Sequence, residues 1–243
     1  MFDYLIFMLA LAVCGIFAAY ANSKVNNAYS KYGQIRNRRG VTGADAAARL
    51  LYANGVTDIR IGHVSGTLTD HYHPTQSIVN LSDSTYGSAT VAAVAVAAHE
   101  IGHVMQNKKG FIFYNLRTAL VPVVNIGTKL SMPLVLIGLA LDFLVASTAN
   151  SDIGYYLAMF GVLLYGASFL FTVVTLPVEL DASRRAKKML VAEGILRQEE
   201  MSGAEEVLSA AALTYLASMF TSLVYFLRFM FFVLRMFGNR RDD

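Results

Sequence analysis

The chain is 243 residues long, 55% hydrophobic and only 15% charged, with a mean hydropathy of +0.47. Soluble domains carry roughly 25% charged residues, so a single water-soluble core cannot hide this much apolar surface, whereas a bilayer can. A net charge of +3 with basic residues spread among loops excludes a nucleic-acid-binding stripe and suits attraction to anionic lipid headgroups.

Residues 4–21 (YLIFMLALAVCGIFAAYA) are the first apolar run, long enough at about 1.5 Å per residue to cross the hydrocarbon core. No basic residue precedes the run and no clear small-residue cleavage motif follows it, so it reads as a retained anchor. Cys14, the single cysteine, lies inside it. Neither an intrachain disulfide nor a cysteine cage can form, and any metal site has to be built from histidine and carboxylate.

Segment 22–118 is polar. Thr42-Gly43-Ala44-Asp45 predicts a capping box opening a helix that runs to about Ala53, with Gly55 as its stop. Val56 to Val64 reads as a strand and Gln76 to Leu81 as another, after a turn-like His71-Tyr72-His73-Pro74. Together they imply a short β-hairpin, and the second strand could hold an extended substrate by edge pairing. Residues 88–107 are alanine-rich and strongly helix-forming.

Two further apolar runs, 120–146 and 153–176, are joined by the polar link 147–152 and read as a helical hairpin in the membrane, the first interrupted by Lys129 and Asp142. Segment 177–212 is polar again. Pro177 suits the first turn of a helix running to about Glu193 and ended by Gly194. Ser202 and Glu205 form a second S-x-x-E box, which should open the helix leading into the last run, 213–234. Arg228 inside that run is costly at mid-bilayer, so it must snorkel, face other helices or mark an interfacial segment. The fold class is therefore mainly α: a multi-pass membrane protein of about four transmembrane helices, in one integrated domain with a small α+β portion. Two spans separate the polar segments, so both emerge on the same side of the membrane and their residues can meet.

Chemistry concentrates at His99-Glu100-Ile101-Gly102-His103, an HExxH motif. Histidines four apart on a helix project from one face, about 6 Å apart, and can bind one Zn²⁺. Glu100, beside the first of them, is placed to act as general base toward water. The run Val91 to Ala98 makes the helix rigid, and Gly102 should leave room above the site for a chain or ligand. Catalytic zinc takes three protein ligands and keeps one position open. The third comes from His63, His71, His73, Glu179 or Asp181. Glu179 is favoured, on the same side as the motif, although a carboxylate in a first turn also serves the helix dipole. Asp181 suits a hydrogen bond to a ligand histidine.

With these residues in view, the chain resembles the YugP-like family of membrane zinc metallopeptidases of bacteria and archaea. The resemblance covers nearly the whole length and rests on Thr42-Gly43-Ala44, Leu68-Thr69-Asp70-His71-Tyr72, VAAVAVAAHEIGH, LRTALVPVVN and TLPVELDASRRA. It implies four membrane helices, a zinc site and proteolysis. The family pattern continues the Asp-His-Tyr triplet with aspartate, where this chain has His73. More distantly the layout is similar to the HtpX and Ste24 peptidases, in which an aspartate commonly sits four residues after the glutamate ligand; here that position is Ser183.

The expected activity is peptide hydrolysis on a polypeptide substrate, membrane proteins included, with Zn²⁺ held by His99, His103 and Glu179 and with Glu100 as base. His71, Tyr72 or Arg184 would donate to the developing oxyanion. Two alternatives stay open: a site-2 type intramembrane protease with Asp181 as ligand, and a non-catalytic scaffold clamped by zinc. Lysines and arginines gather in the polar segments, from Lys24 to Arg39, at Lys108 and Lys109, and from Arg184 to Lys188, while the 147–152 link has none. The positive-inside rule then puts the motif on the cytoplasmic side of a prokaryotic inner membrane, although it leaves Arg240 and Arg241 outside.

Overall fold

The computed structural model describes residues 2–145 and 152–238. Most of the expected 147–152 link, together with Arg240 and Arg241, lies outside the described residues. Helix α1 spans Phe2–Gly33 and continues well past the end of the first apolar run. Helix α2, Gly43–Ala53, opens with the expected capping box. Thr42 Oγ1 accepts from the Asp45 N–H at 3.1 Å, and the Asp45 carboxylate accepts from the Thr42 N–H at 3.2 Å. Gly55 takes the left-handed conformation just beyond its end, at φ +68°.

Three short strands follow: β1 Arg60–Val64, β2 His71–His73 and β3 Ile78–Ser82. The sheet order is β1-β3-β2, with β3 parallel to β1 and antiparallel to β2. The stretch expected as a turn is thus itself a strand, and the turn lies at residues 74–77. There the Ser77 N–H donates to the Pro74 carbonyl at 3.3 Å and Ser77 has φ +51°. The hairpin is β2–β3. Because β3 is central, Ile78 to Asn80 are paired on both sides, and edge pairing of a substrate on that strand is ruled out.

After the one-turn α3, Asp83–Tyr86, comes α4, Val91–Lys108. Thr90 caps it, its hydroxyl accepting from the Ala93 N–H at 3.3 Å. Helices α5 (Ile112–Val145), α6 (Ile153–Ala192) and α7 (Gln198–Gly238) complete the chain. Pro177 does not start a helix; α6 runs straight through it. One missing N–H removes one ladder bond, and the turns around it are held by packing, with Val178 and Ala182 fully buried. Helix α6 ends as expected at Gly194, φ +54°. The second S-x-x-E box is not the cap of α7. That helix begins a turn earlier, where the Arg197 N–H donates to Glu200 Oε2 at 2.8 Å, and Ser202 lies inside it, hydrogen-bonded to the Glu199 carbonyl.

The chain divides into two compact units: Met1–Phe17 with Leu116–Thr175 and Leu216–Asp243, and Ala18–Asn115 with Leu176–Tyr215. The first holds the most apolar stretches of α1, α5, α6 and α7, which among the described residues are the four helices long and apolar enough to cross a membrane. Small residues bring α5 and α6 together there: a Cβ on Gly138 or Gly154 would lie 2.5 Å from the other's carbonyl oxygen. This is the kind of close packing by which membrane helices associate. Arg228 lies over the Phe7 ring, 5.1 Å from its centroid, so it faces another helix. In the second unit a core of alanine, valine and leucine forms around α4.

Candidate metal centre

The site is built on α4. Ala92, Ala93, Ala95, Ala97 and Ala98 are fully buried, and side chains this small let neighbouring elements close around the helix without loss of helix propensity. The i, i+4 spacing then sets the two histidine rings nearly perpendicular, with centroids 4.7 Å apart. Helix α6 approaches where α4 has no side chain. A Cβ on Gly102 would sit 2.5 Å from the Ala182 carbonyl oxygen. Gly102 therefore makes room for α6 itself, not for a substrate chain as its place in the motif suggests.

That approach delivers Glu179. Its Oε2 lies 3.0 Å from His99 Nε2 and 3.5 Å from His103 Nε2. The three side chains can each offer one ligand atom within 4.8 Å of the others, and they form the one such group of His, Cys, Asp and Glu among the described residues. Glu179 and His103 are buried and His99 is nearly so.

Both imidazoles are oriented from behind. His99 Nδ1 meets Ser183 Oγ at 3.1 Å. His103 Nδ1 meets Gln106 Oε1 at 3.0 Å, while Gln106 Nε2 donates to the Val178 carbonyl at 2.7 Å and to Asp181 Oδ2 at 3.0 Å. With two acceptors around its nitrogen, the fully buried Gln106 amide has one orientation. Its oxygen can only accept, so Nδ1 of His103 carries a proton, which leaves Nε2 as the ring nitrogen that can face a metal. Asp181 in turn is paired with Arg184 and Arg185. It acts on His103 only through Gln106, not by a direct hydrogen bond to a histidine.

The electrostatics favour positive charge where these groups converge. Burial alone would lower His103, but the Glu179 carboxylate, with Glu100 adding to it, raises its pKa above the ordinary histidine value. Burial pushes Glu179 up, yet His103 and His99 hold it well below the usual carboxylate range. Buried charges persist only when paired or bound to metal. Two Nε2 atoms and one carboxylate oxygen converging here suit Zn²⁺ with a further position left open. Among the described residues Glu100 makes no hydrogen bond or ion pair, although it is only 7% exposed.

The other candidates lie elsewhere. His63 pairs with Asp83 at 2.6 Å. His71 contacts the Thr69 carbonyl and Asn80, and His73 accepts from the Gln76 N–H. The Tyr72 hydroxyl accepts from Asn107 on α4 at 2.9 Å. Sequence reading missed Gln106 and Ser183 as orienting groups. The signals were a glutamine three residues after the second histidine, one helical turn on, and a serine one turn beyond Glu179.

Apolar helices able to cross a bilayer and a buried two-histidine, one-carboxylate centre on an HExxH helix together define a membrane protein of the zinc metallopeptidase class. Comparison with known proteins agrees. Residues 5–234 match the family described as "Putative neutral zinc metallopeptidase", and the chain belongs to that family. It is similar to the "Putative membrane protease YugP" of Bacillus subtilis (strain 168), at 38% identity over 239 residues, covering 98% of this chain and 99% of that one. No solved structure matches the chain significantly.

Proposed function

We propose that the chain is a multi-pass membrane endopeptidase that holds zinc with His99, His103 and Glu179 and uses Glu100 as general base. The observation that carries this reading is the convergence of the three donor atoms within 4.8 Å beside the Glu100 carboxylate, which makes no hydrogen bond or ion pair among the described residues. Zinc held by these three residues would supply Lewis acidity toward a peptide carbonyl and toward water. The remaining work falls to this chain. His99 and His103 present Nε2 because Ser183 and Gln106 occupy Nδ1. Glu100 takes a proton from the attacking water and delivers it to the leaving amine. The developing oxyanion would take its donor from His71, Tyr72 or Arg184. In this structure Arg184 is paired with Asp181, the Tyr72 hydroxyl accepts from Asn107 and His71 contacts Asn80, so whichever serves must exchange that partner.

Segments 4–21, 120–146, 153–176 and 213–234 are the spans. The polar segments 22–118 and 177–212 share the cytoplasmic face of a prokaryotic inner membrane, and the substrates are polypeptides, membrane proteins among them. Asp181 stands outside the three-donor group, tied to Gln106 and two arginines, which weighs against the site-2 reading. Glu100→Gln separates catalysis from a zinc clamp. It should retain stoichiometric zinc and lower cleavage of a peptide library by about 10²-fold or more. Undiminished cleavage would falsify the assignment of the base.

A further inference from the structure

The unit made of the membrane helices contains a cavity of about 840 Å³ between the N-terminal part of α1 and the C-terminal part of α7. The two helices run antiparallel there, with Phe7 against Tyr225 and Phe17 against Phe220. Most of the lining is apolar, including Phe7, Ala10, Val224 and Phe232, but it also contains Arg228 and Arg235 and, among the described residues, no carboxylate. The two arginines are seven residues apart on α7. Two helical turns set them on one face, roughly 10 Å apart along the axis.

Arg228 meets no carboxylate among the described residues. It lies over the Phe7 and Tyr4 rings, 5.1 and 5.8 Å from their centroids. Aromatic faces steady a guanidinium without neutralising it. A cation inside an apolar span is expensive and calls for an anionic partner. We infer that the bilayer supplies that partner: the α1–α7 groove binds an anionic phospholipid, its phosphate drawn to Arg228 and Arg235 and an acyl chain lying along Ala10 and Val224. A cavity walled by apolar side chains and edged by two guanidiniums complements a lipid in both chemistry and charge.

The chain has no tryptophan, so Phe232→Trp places a unique, selectively excitable tryptophan in the groove of the full-length protein. Reconstituted into vesicles, this reporter should be quenched more strongly by brominated phosphatidylglycerol than by an equal mole fraction of brominated phosphatidylcholine. Each arginine should contribute a preference of about fivefold. Arg228→Gln should lower the preference by that factor, Arg228→Lys should keep most of it, and high salt should weaken it. If Arg228→Gln does not reconstitute, Arg235→Gln in the same background gives the same readout. Equal quenching by the two lipids, or a preference that survives loss of both arginines, overturns the proposal. So does a reporter shielded from both lipids, because a second copy or another protein segment would then fill the groove.

Discussion

Replacing Gly102 with alanine tests how the centre is assembled, because it acts on neither a ligand nor the base. The added Cβ would sit 2.5 Å from the Ala182 oxygen and 3.1 Å from its carbonyl carbon. Both are backbone atoms and cannot rotate away. Restoring van der Waals contact moves the α6 backbone off α4 by roughly 0.5–1 Å. Glu179 and Ser183 lie within one turn of Ala182, so they move with it. Metal sites tolerate ligand displacements of only about 0.2 Å. Stability is pulled two ways: alanine gains about 1 kcal/mol over glycine inside a helix, while overpacking costs roughly 1–3 kcal/mol. The net loss of stability should be small, no more than about 2 kcal/mol. Zinc affinity should fall about 10- to 100-fold, as when the partners that orient metal ligands are removed. Chelator competition on purified protein measures the affinity, and circular dichroism checks the fold. Gly87→Ala, at a position with open space around it, is the control and should change nothing. A folded Gly102→Ala protein that binds zinc as tightly as wild type refutes the argument.

Further outcomes follow from the orienting groups and from the α2 cap. Gln106→Leu leaves the Val178 carbonyl without its donor and His103 Nδ1 without its acceptor. It should cost roughly 1–3 kcal/mol in chemical denaturation and weaken zinc about 10- to 100-fold. Gln106→Glu keeps the acceptor but sets a second carboxylate against Asp181, so it should not rescue stability. Ser183→Ala should weaken zinc by about tenfold with an unchanged denaturation midpoint in the metal-free protein. Thr42→Ala removes the α2 cap and should cost about 1 kcal/mol. The hydrogen bonds from Thr42 hold Asp45 below the ordinary aspartate value. Its contribution is therefore complete above about pH 4 and is lost as pH falls through its lower folded value. Denaturation curves of wild type and Thr42→Ala should accordingly draw closer in acid without meeting, because the bond from the Asp45 N–H to Thr42 Oγ1 does not titrate.

Much of this molecule can be read locally. The capping box at Thr42, the helix stops at Gly55 and Gly194, and the alanine-rich α4 all follow from residues a few positions apart. Where local signals misled, a stronger local or tertiary term was present. Pro177 looks like a helix start, yet buried neighbours carry α6 through it. The Ser202 box lost to Glu200, which caps α7 a turn earlier. The His71-Tyr72-His73 stretch, flanked by proline, looked like a turn until pairing with β3 extended it.

The sequence by itself determined the solvent and half of the centre: apolar runs of bilayer length, and two histidines at a spacing that any α-helix converts into a shared face. Only the tertiary structure decided which carboxylate completes the trio, because Glu179 is 80 residues from His99 along the chain. Helical periodicity carries no information over that distance. The choice rests on a non-local contact, the Gly102–Ala182 approach, and on amide and hydroxyl partners whose orientation exists only once α4 and α6 have packed.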